Sequence, residues 1–129
     1  MGIPQQSDKT FQDINQIIWD YLEARDWHKN PPRGLATSIL LEAGELLEHY
    51  QWHDNPVGSK EELAEELADI FIYAFQFAQV TGIDITEAIE KKLTKTAKKY
   101  PAETFKGKGE AERTASWLDA KVNYKKEGL

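Results

Sequence analysis

Two neighbouring stretches decide the fold: LATSILLEAGELLEHYQW over residues 35–52 and SKEELAEELADIFIYAFQFAQV over residues 59–80. In both, apolar residues recur every three or four positions, the spacing of a single helix face. Ile39, Ala43, Leu46 and Tyr50 form the stripe of the first, and Leu63, Leu67, Ile70 and Ala74 that of the second. Asp54-Asn55-Pro56-Val57-Gly58 between them reads as a turn. Ser59 with Glu62 is a capping box that opens the later helix, and Thr81-Gly82 stops it near Val80. A connection this short sets the two helices antiparallel and side by side.

Working outward, Phe11, Ile14, Ile17, Ile18, Tyr21 and Leu22 give a first helix over roughly Asp8 to Asp26, broken by Asn30-Pro31-Pro32-Arg33-Gly34. Asp84 with Glu87 opens a fourth helix that ends near Tyr100-Pro101. Past Lys106-Gly107-Lys108-Gly109, Glu110 to Lys125 can form a further helix carrying Trp117, Leu118 and Val122. No stretch alternates as a half-buried strand does, so the class is all-α. The expected organisation is a four-helix catalytic domain over residues 1–103 with a partly helical C-terminal appendage over 104–129. The third helix is apolar nearly all round from Ile70 to Ala78. Such a helix needs cover on more than one side, so a homodimer or homotetramer is expected to complete the fold.

Composition narrows the function. At 129 residues the chain suits one domain, and its 40% hydrophobic content supports a core. A net charge of −6 argues against a partner that presents a phosphate backbone, so no nucleic acid is expected. The absence of cysteine excludes thiol catalysis, disulfides and thiolate metal sites. The first ten residues are polar and no uncharged apolar run is long enough to span a bilayer, so the expected location is cytoplasmic, away from membranes.

The chemistry lies in two acid pairs. Glu42 and Glu45 are three apart on one helix, Glu66 and Asp69 three apart on the next, so each pair shares a face. At about 100° per residue, each pair falls ~60° and ~120° to one side of its apolar stripe, in the same rotational sense. The two-fold axis that relates antiparallel neighbours keeps both pairs on one side of the groove. Glu45 and Glu66 lie equally far from the turn, as do Glu42 and Asp69. Four carboxylates therefore converge, and such a group calls for a hard divalent cation: Mg²⁺, or Mn²⁺. Glu62 is read as a cap rather than a ligand, and Glu48, Glu61 and Glu65 as solvated surface.

With these flanks the two pairs resemble the MazG-like family of all-α nucleoside triphosphate pyrophosphohydrolases, most closely its dCTP pyrophosphatase branch. The family's Glu-x-x-Glu and Glu-x-x-Asp appear as Leu41-Glu42-Ala43-Gly44-Glu45-Leu46 and Glu65-Glu66-Leu67-Ala68-Asp69-Ile70. Arg25-Asp26-Trp27, Gln51-Trp52, Ile72-Tyr73 and Lys98-Lys99-Tyr100-Pro101 stand around them, and the likeness covers roughly residues 10 to 103. The resemblance implies an enzyme that converts a (d)NTP, such as dCTP, and water to (d)NMP and pyrophosphate, for nucleotide-pool control or house-cleaning. It implies Glu42, Glu45, Glu66 and Asp69 as the Mg²⁺-binding, catalytic carboxylates. Trp27 and Trp52 would border the base and Tyr73 would contact the nucleotide. Lys92, Lys99 and Tyr100 would reach phosphates or sugar. Thr96 stands where the family commonly has Asn, and Ile18 where the dCTP branch has a first-helix His; both departures bear on base preference.

Two rival readings make different demands. A di-iron carboxylate bundle needs Glu-x-x-His on two helices, and His49 and His53 follow Leu46 and Tyr50 at that spacing. A non-catalytic helical interaction module suits the apolar third helix but gives the matched acid pairs no work. His49, one turn from Glu45, reads as a surface histidine on the acidic flank.

Overall fold

The computed structural model describes residues 2–126, all helix, turn and loop, with no strand among them. Six helices follow one another: α1 Phe11–Glu23, α2 Pro32–Glu48, α3 Lys60–Thr81, α4 Ile85–Lys99, α5 Ala102–Phe105 and α6 Glu110–Lys126. No helix among the described residues is long and apolar enough to cross a membrane. The chain divides into two compact units, one up to Ile85 and one from Thr86 onward. The sequence reading of residues 1–103 and 104–129 also takes in residue 1 and residues 127–129, which lie outside the described residues.

The helix boundaries follow local chemistry. Thr10 caps α1 by accepting from the Asp13 amide at 3.1 Å, while Asp13 accepts from the Thr10 amide at 2.8 Å. This reciprocal box fixes the start three residues later than Asp8. α2 starts at Pro32 rather than Leu35, because a proline in the first turn has no amide to leave unsatisfied. It ends at Glu48 rather than Trp52. His49, Tyr50 and Gln51 turn back on carbonyls three residues earlier, and the Val57 amide then donates to the His49 carbonyl at 2.9 Å. Ser59 and Glu62 cap α3 reciprocally, and Gly82, with φ +70°, closes it in the left-handed region that glycine enters without strain.

In the first unit α2 and α3 form the hairpin, and α1 lies against the C-terminal half of α3. Ile18 and Leu22 of α1 pack with Phe75 of α3, and Ile14, Ile72 and Ile85 close around them. Phe11 meets Phe75 edge to face at 5.7 Å. Gln79 secures the register by donating to the Asn15 carbonyl at 3.0 Å and its side-chain oxygen at 2.9 Å. After α1, Asp26 takes φ +57°, a conformation that a short polar side chain tolerates. The reversal lets the Trp27 amide donate to the Leu22 carbonyl at 2.9 Å and sets its indole edge-on to Tyr21 at 6.2 Å.

In the second unit, Tyr100 stacks on Trp117 of α6 at 6.3 Å and 9°. The Lys99 ammonium lies over the rings of Tyr100 at 5.3 Å and Tyr124 at 5.0 Å. α6, over Glu110–Lys126, matches the tail helix expected from Glu110 to Lys125.

The Ser59 cap orients the N-terminal half of α3, the half that bears Glu66. Replacing Ser59 with alanine is expected to cost about 1 kcal/mol in urea-induced unfolding, with Ser59→Asp retaining most of the stability.

Candidate functional site

The hairpin brings the four acids into one region, with three of them tightest. Glu42 and Glu45 of α2 and Glu66 of α3 each offer a carboxylate oxygen, and the three atoms lie within 4.8 Å of one another. Asp69, half-buried one turn beyond Glu66, stands outside this triad but close enough for its charge to act on Glu42.

Glu42, Glu66 and Asp69 are half-buried and Glu45 is exposed. The half-buried or buried residues of α2 are Leu35, Ser38, Ile39, Glu42 and Leu46, followed by His49 at its C-cap, whereas Ala43 and, past the helix, Tyr50 are exposed. On α3, Leu63, Glu66, Asp69 and Ile70 are half-buried and Leu67 is 49% exposed. Glu42, Glu66 and Asp69 thus share the sheltered side of the hairpin with Ile39, Leu46, Leu63 and Ile70, while Glu45 is exposed and part of each apolar stripe turns outward.

That position has an electrostatic consequence. Burial, then the adjacent Glu45 carboxylate, then the charges of Glu45, Asp69 and Glu66, raise the Glu42 carboxyl above its ordinary value of 4.5. Glu42 Oε2 is also buried without a hydrogen-bond partner. An acceptor-only atom that lacks a donor, in a group of like charges, fits a cation in the gap. The donors are all oxygen, the set that suits Mg²⁺ or Mn²⁺.

His49 belongs to this region more closely than its sequence position suggests. Its ring is 12% exposed and Nε2 lies 3.5 Å from Glu66 Oε1. A Cβ on Gly58 would collide with that ring and with the Glu62 carboxylate, so any larger residue at 58 would force the imidazole and the carboxylate to shift. Glu48, expected to point away, joins Glu45, His49, Val57 and Glu66 around an open cavity of about 390 Å³. Glu62 caps α3, as its spacing from Ser59 implied.

A second cavity, about 370 Å³, lies in the same unit between α1, the loop after it and α3. Trp27 and Tyr73, two of the residues expected at a nucleotide, both line it. Ile18 lines it too, and so does Gln76, which the sequence reading passed over inside an apolar run. Trp52 is 81% exposed and lines neither cavity. Lys92, Thr96, Lys99 and Tyr100 all belong to the second unit. There they line a pocket of about 450 Å³ with Lys95, Lys121 and Lys125, a setting rich in positive charge and aromatic surface.

Comparison with known proteins gives three consistent results. The model of the MazG-like family matches residues 37–112, which span the hairpin and its acids. The chain is 29% identical over 107 residues to dCTP pyrophosphatase 1 of Mus musculus, covering 76% of this chain and 63% of that protein. It is 39% identical over 62 residues to a dATP/dGTP diphosphohydrolase of Cyanophage S-2L, covering 48% of this chain and 50% of that protein. A crystal structure of a pyrophosphatase from Archaeoglobus fulgidus DSM 4304 superposes with a TM-score of 0.60 at 29% identity, covering 77% of this chain and 99% of that one.

The crowding at Glu42 makes a signed prediction. A raised carboxyl holds its proton more firmly in the folded state, so its contribution to stability is largest at low pH and falls as pH rises above 4.5. In calorimetry without divalent metal, Glu42→Gln should melt above the wild type at neutral pH, the gap opening as pH rises through that window. Added Mg²⁺ should stabilise the wild type and narrow or reverse the gap.

Proposed function

Because this chain belongs to the MazG-like family, we propose that it is a metal-dependent nucleoside triphosphate pyrophosphohydrolase, cleaving a (d)NTP to (d)NMP and pyrophosphate. The observation that carries this reading is the group of three carboxylates, supplied by both arms of the hairpin within 4.8 Å, with the partnerless Glu42 Oε2 among them. Glu42, Glu45, Glu66 and Asp69 would hold the cation. Bound there, Mg²⁺ supplies Lewis-acid polarisation of phosphoryl oxygens and screens the charge of the phosphates.

The chain's own groups account for the rest. A carboxylate not fully engaged with metal, Glu45 being the exposed one, accepts a proton from water as its oxygen attacks the α-phosphorus. The bond to the bridging oxygen breaks and pyrophosphate departs with that oxygen. Trp27 and Tyr73 face a cavity whose volume lies in the ~300–1,000 Å³ range of small-molecule sites, and aromatic faces hold a nucleobase by stacking. The roles of Lys92, Thr96, Lys99 and Tyr100 toward phosphate, and of Trp52 toward the base, rest on residue chemistry and on the family likeness.

Self-association belongs to the same reading. Leu40, Leu41 and Leu47 of α2 and Leu67 and Phe71 of α3 are 49–72% exposed in the single chain. Apolar surface of this extent on a helical hairpin is what a second copy covers. Light scattering should give a mass of two or four chains, a monomer being the contrary result.

For the reaction, a panel of canonical and modified (d)NTPs with Mg²⁺ should yield pyrophosphate and the monophosphate. Orthophosphate as first product would contradict attack at the α-phosphorus. Glu45→Gln and Asp69→Asn should each lower turnover by at least about 100-fold, since even groups that only support metal ligands are worth ~10–100-fold.

A further inference from the structure

Gln76 is a buried polar residue in an unusual position. It is only 6% exposed, in the middle of α3, beside the core phenyl ring of Phe75. Its carboxamide makes no hydrogen bond to another described residue, and its polar atoms are not sealed in the core but open onto the 370 Å³ cavity that the residue lines. Around it the cavity is walled mainly by aliphatic and aromatic side chains, Ile17, Ile18, Leu22 and Ile72 among them, with Asn30 the other amide in the lining. An amide set in a largely apolar wall is less well hydrated than one on the open surface, a cost that leucine in this setting would avoid. A ligand that supplies the missing hydrogen bonds resolves the conflict.

The position along the helix specifies which part of a ligand. Asp69, Tyr73 and Gln76 are spaced four and then three apart, so they line one face of α3. Gln76 stands about 10 Å beyond Asp69 along the axis, at ~1.5 Å per residue. A nucleotide with its phosphates at the acids and its base beside Tyr73 would place the base edge at Gln76. A carboxamide offers one acceptor and two donors side by side. It therefore complements a base edge on which a donor adjoins an acceptor, such as an exocyclic amine beside a ring nitrogen or, with the amide turned over, a carbonyl beside an imide N–H.

We propose that Gln76 is the residue by which this cavity distinguishes one nucleobase from another, pairing with the hydrogen-bonding edge of the base. This inference rests on the nucleotide reading of the cavity, and binding without turnover separates the two. Calorimetry with the four 2′-deoxynucleoside monophosphates should show the wild type binding one base about 10- to 100-fold more tightly than the least favoured. Gln76→Leu should remove most of that difference while melting no lower than the wild type. Gln76→Glu, equal in shape but without the donor at neutral pH, should shift the ranking toward amino-bearing bases. A wild type that binds all four equally, or variants that keep the wild-type ranking, would overturn the proposal. If the ranking changes as expected but no triphosphate releases pyrophosphate, the hydrolase reading fails and this one stands. If pyrophosphate is released with a base ranking indifferent to both variants, the reverse holds.

Discussion

Carboxylates gathered from both arms of a helical hairpin repel one another, and that repulsion is the constraint around which this molecule is arranged. Glu42 shows it most directly: burial and three neighbouring acids raise its proton affinity, and one of its oxygens is left without a donor. Ile39, Leu46, Leu63 and Ile70 still fill part of the sheltered side, while Ala43 and Leu67 of the same stripes are exposed. The hairpin leaves Leu40, Leu41, Leu47, Leu67 and Phe71 exposed, the apolar surface on which the proposed self-association rests.

The supports of the acids follow from that constraint. Each arm must be held in rotation and height, or the carboxylates miss one another. α3 is fixed at its start by the Ser59–Glu62 box and at its other end by Gly82, with Phe75 wedged among Ile18 and Leu22 between. α2 is anchored by Leu35, 2% exposed, and its exit is tied down where Val57 bonds back to His49. Gly58 lets the His49 ring settle against Glu66, so the turn that makes the hairpin also trims the edge of the acid cluster. Further along the same helix the face changes from acid to aromatic to amide, Asp69 to Tyr73 to Gln76, a gradient in chemistry that parallels the gradient along a nucleotide.

Much of this was legible in the sequence, for reasons that can be named. The antiparallel pairing of α2 and α3 followed from a short turn between two periodic stretches, and the convergence of Glu42, Glu45 and Glu66 from equal counts on either side of that turn. Ser59, Glu62 and Gly82 mark their boundaries because their side chains, or the lack of one, act locally. What escaped was non-local. His49 read as a surface residue because its contact with Glu66 spans the hairpin. Gln76 was lost among Phe75, Phe77 and Ala78, since a polar residue in an apolar run carries no signal until a cavity is seen beside it. Thr10 with Asp13 shows a smaller lapse: the box works with aspartate as well as glutamate, so α1 begins later than periodicity allowed.

The central claim, that the hairpin's acids make one divalent-cation site, is tested most directly by titrating Mn²⁺ into the protein without nucleotide and following the free ion by electron paramagnetic resonance. Saturable binding in whole-number ratio to the chain, abolished when Glu42, Glu45 and Glu66 are replaced together by glutamine, is the predicted result. Binding that is absent from the wild type, or that survives the triple replacement unchanged, would contradict it.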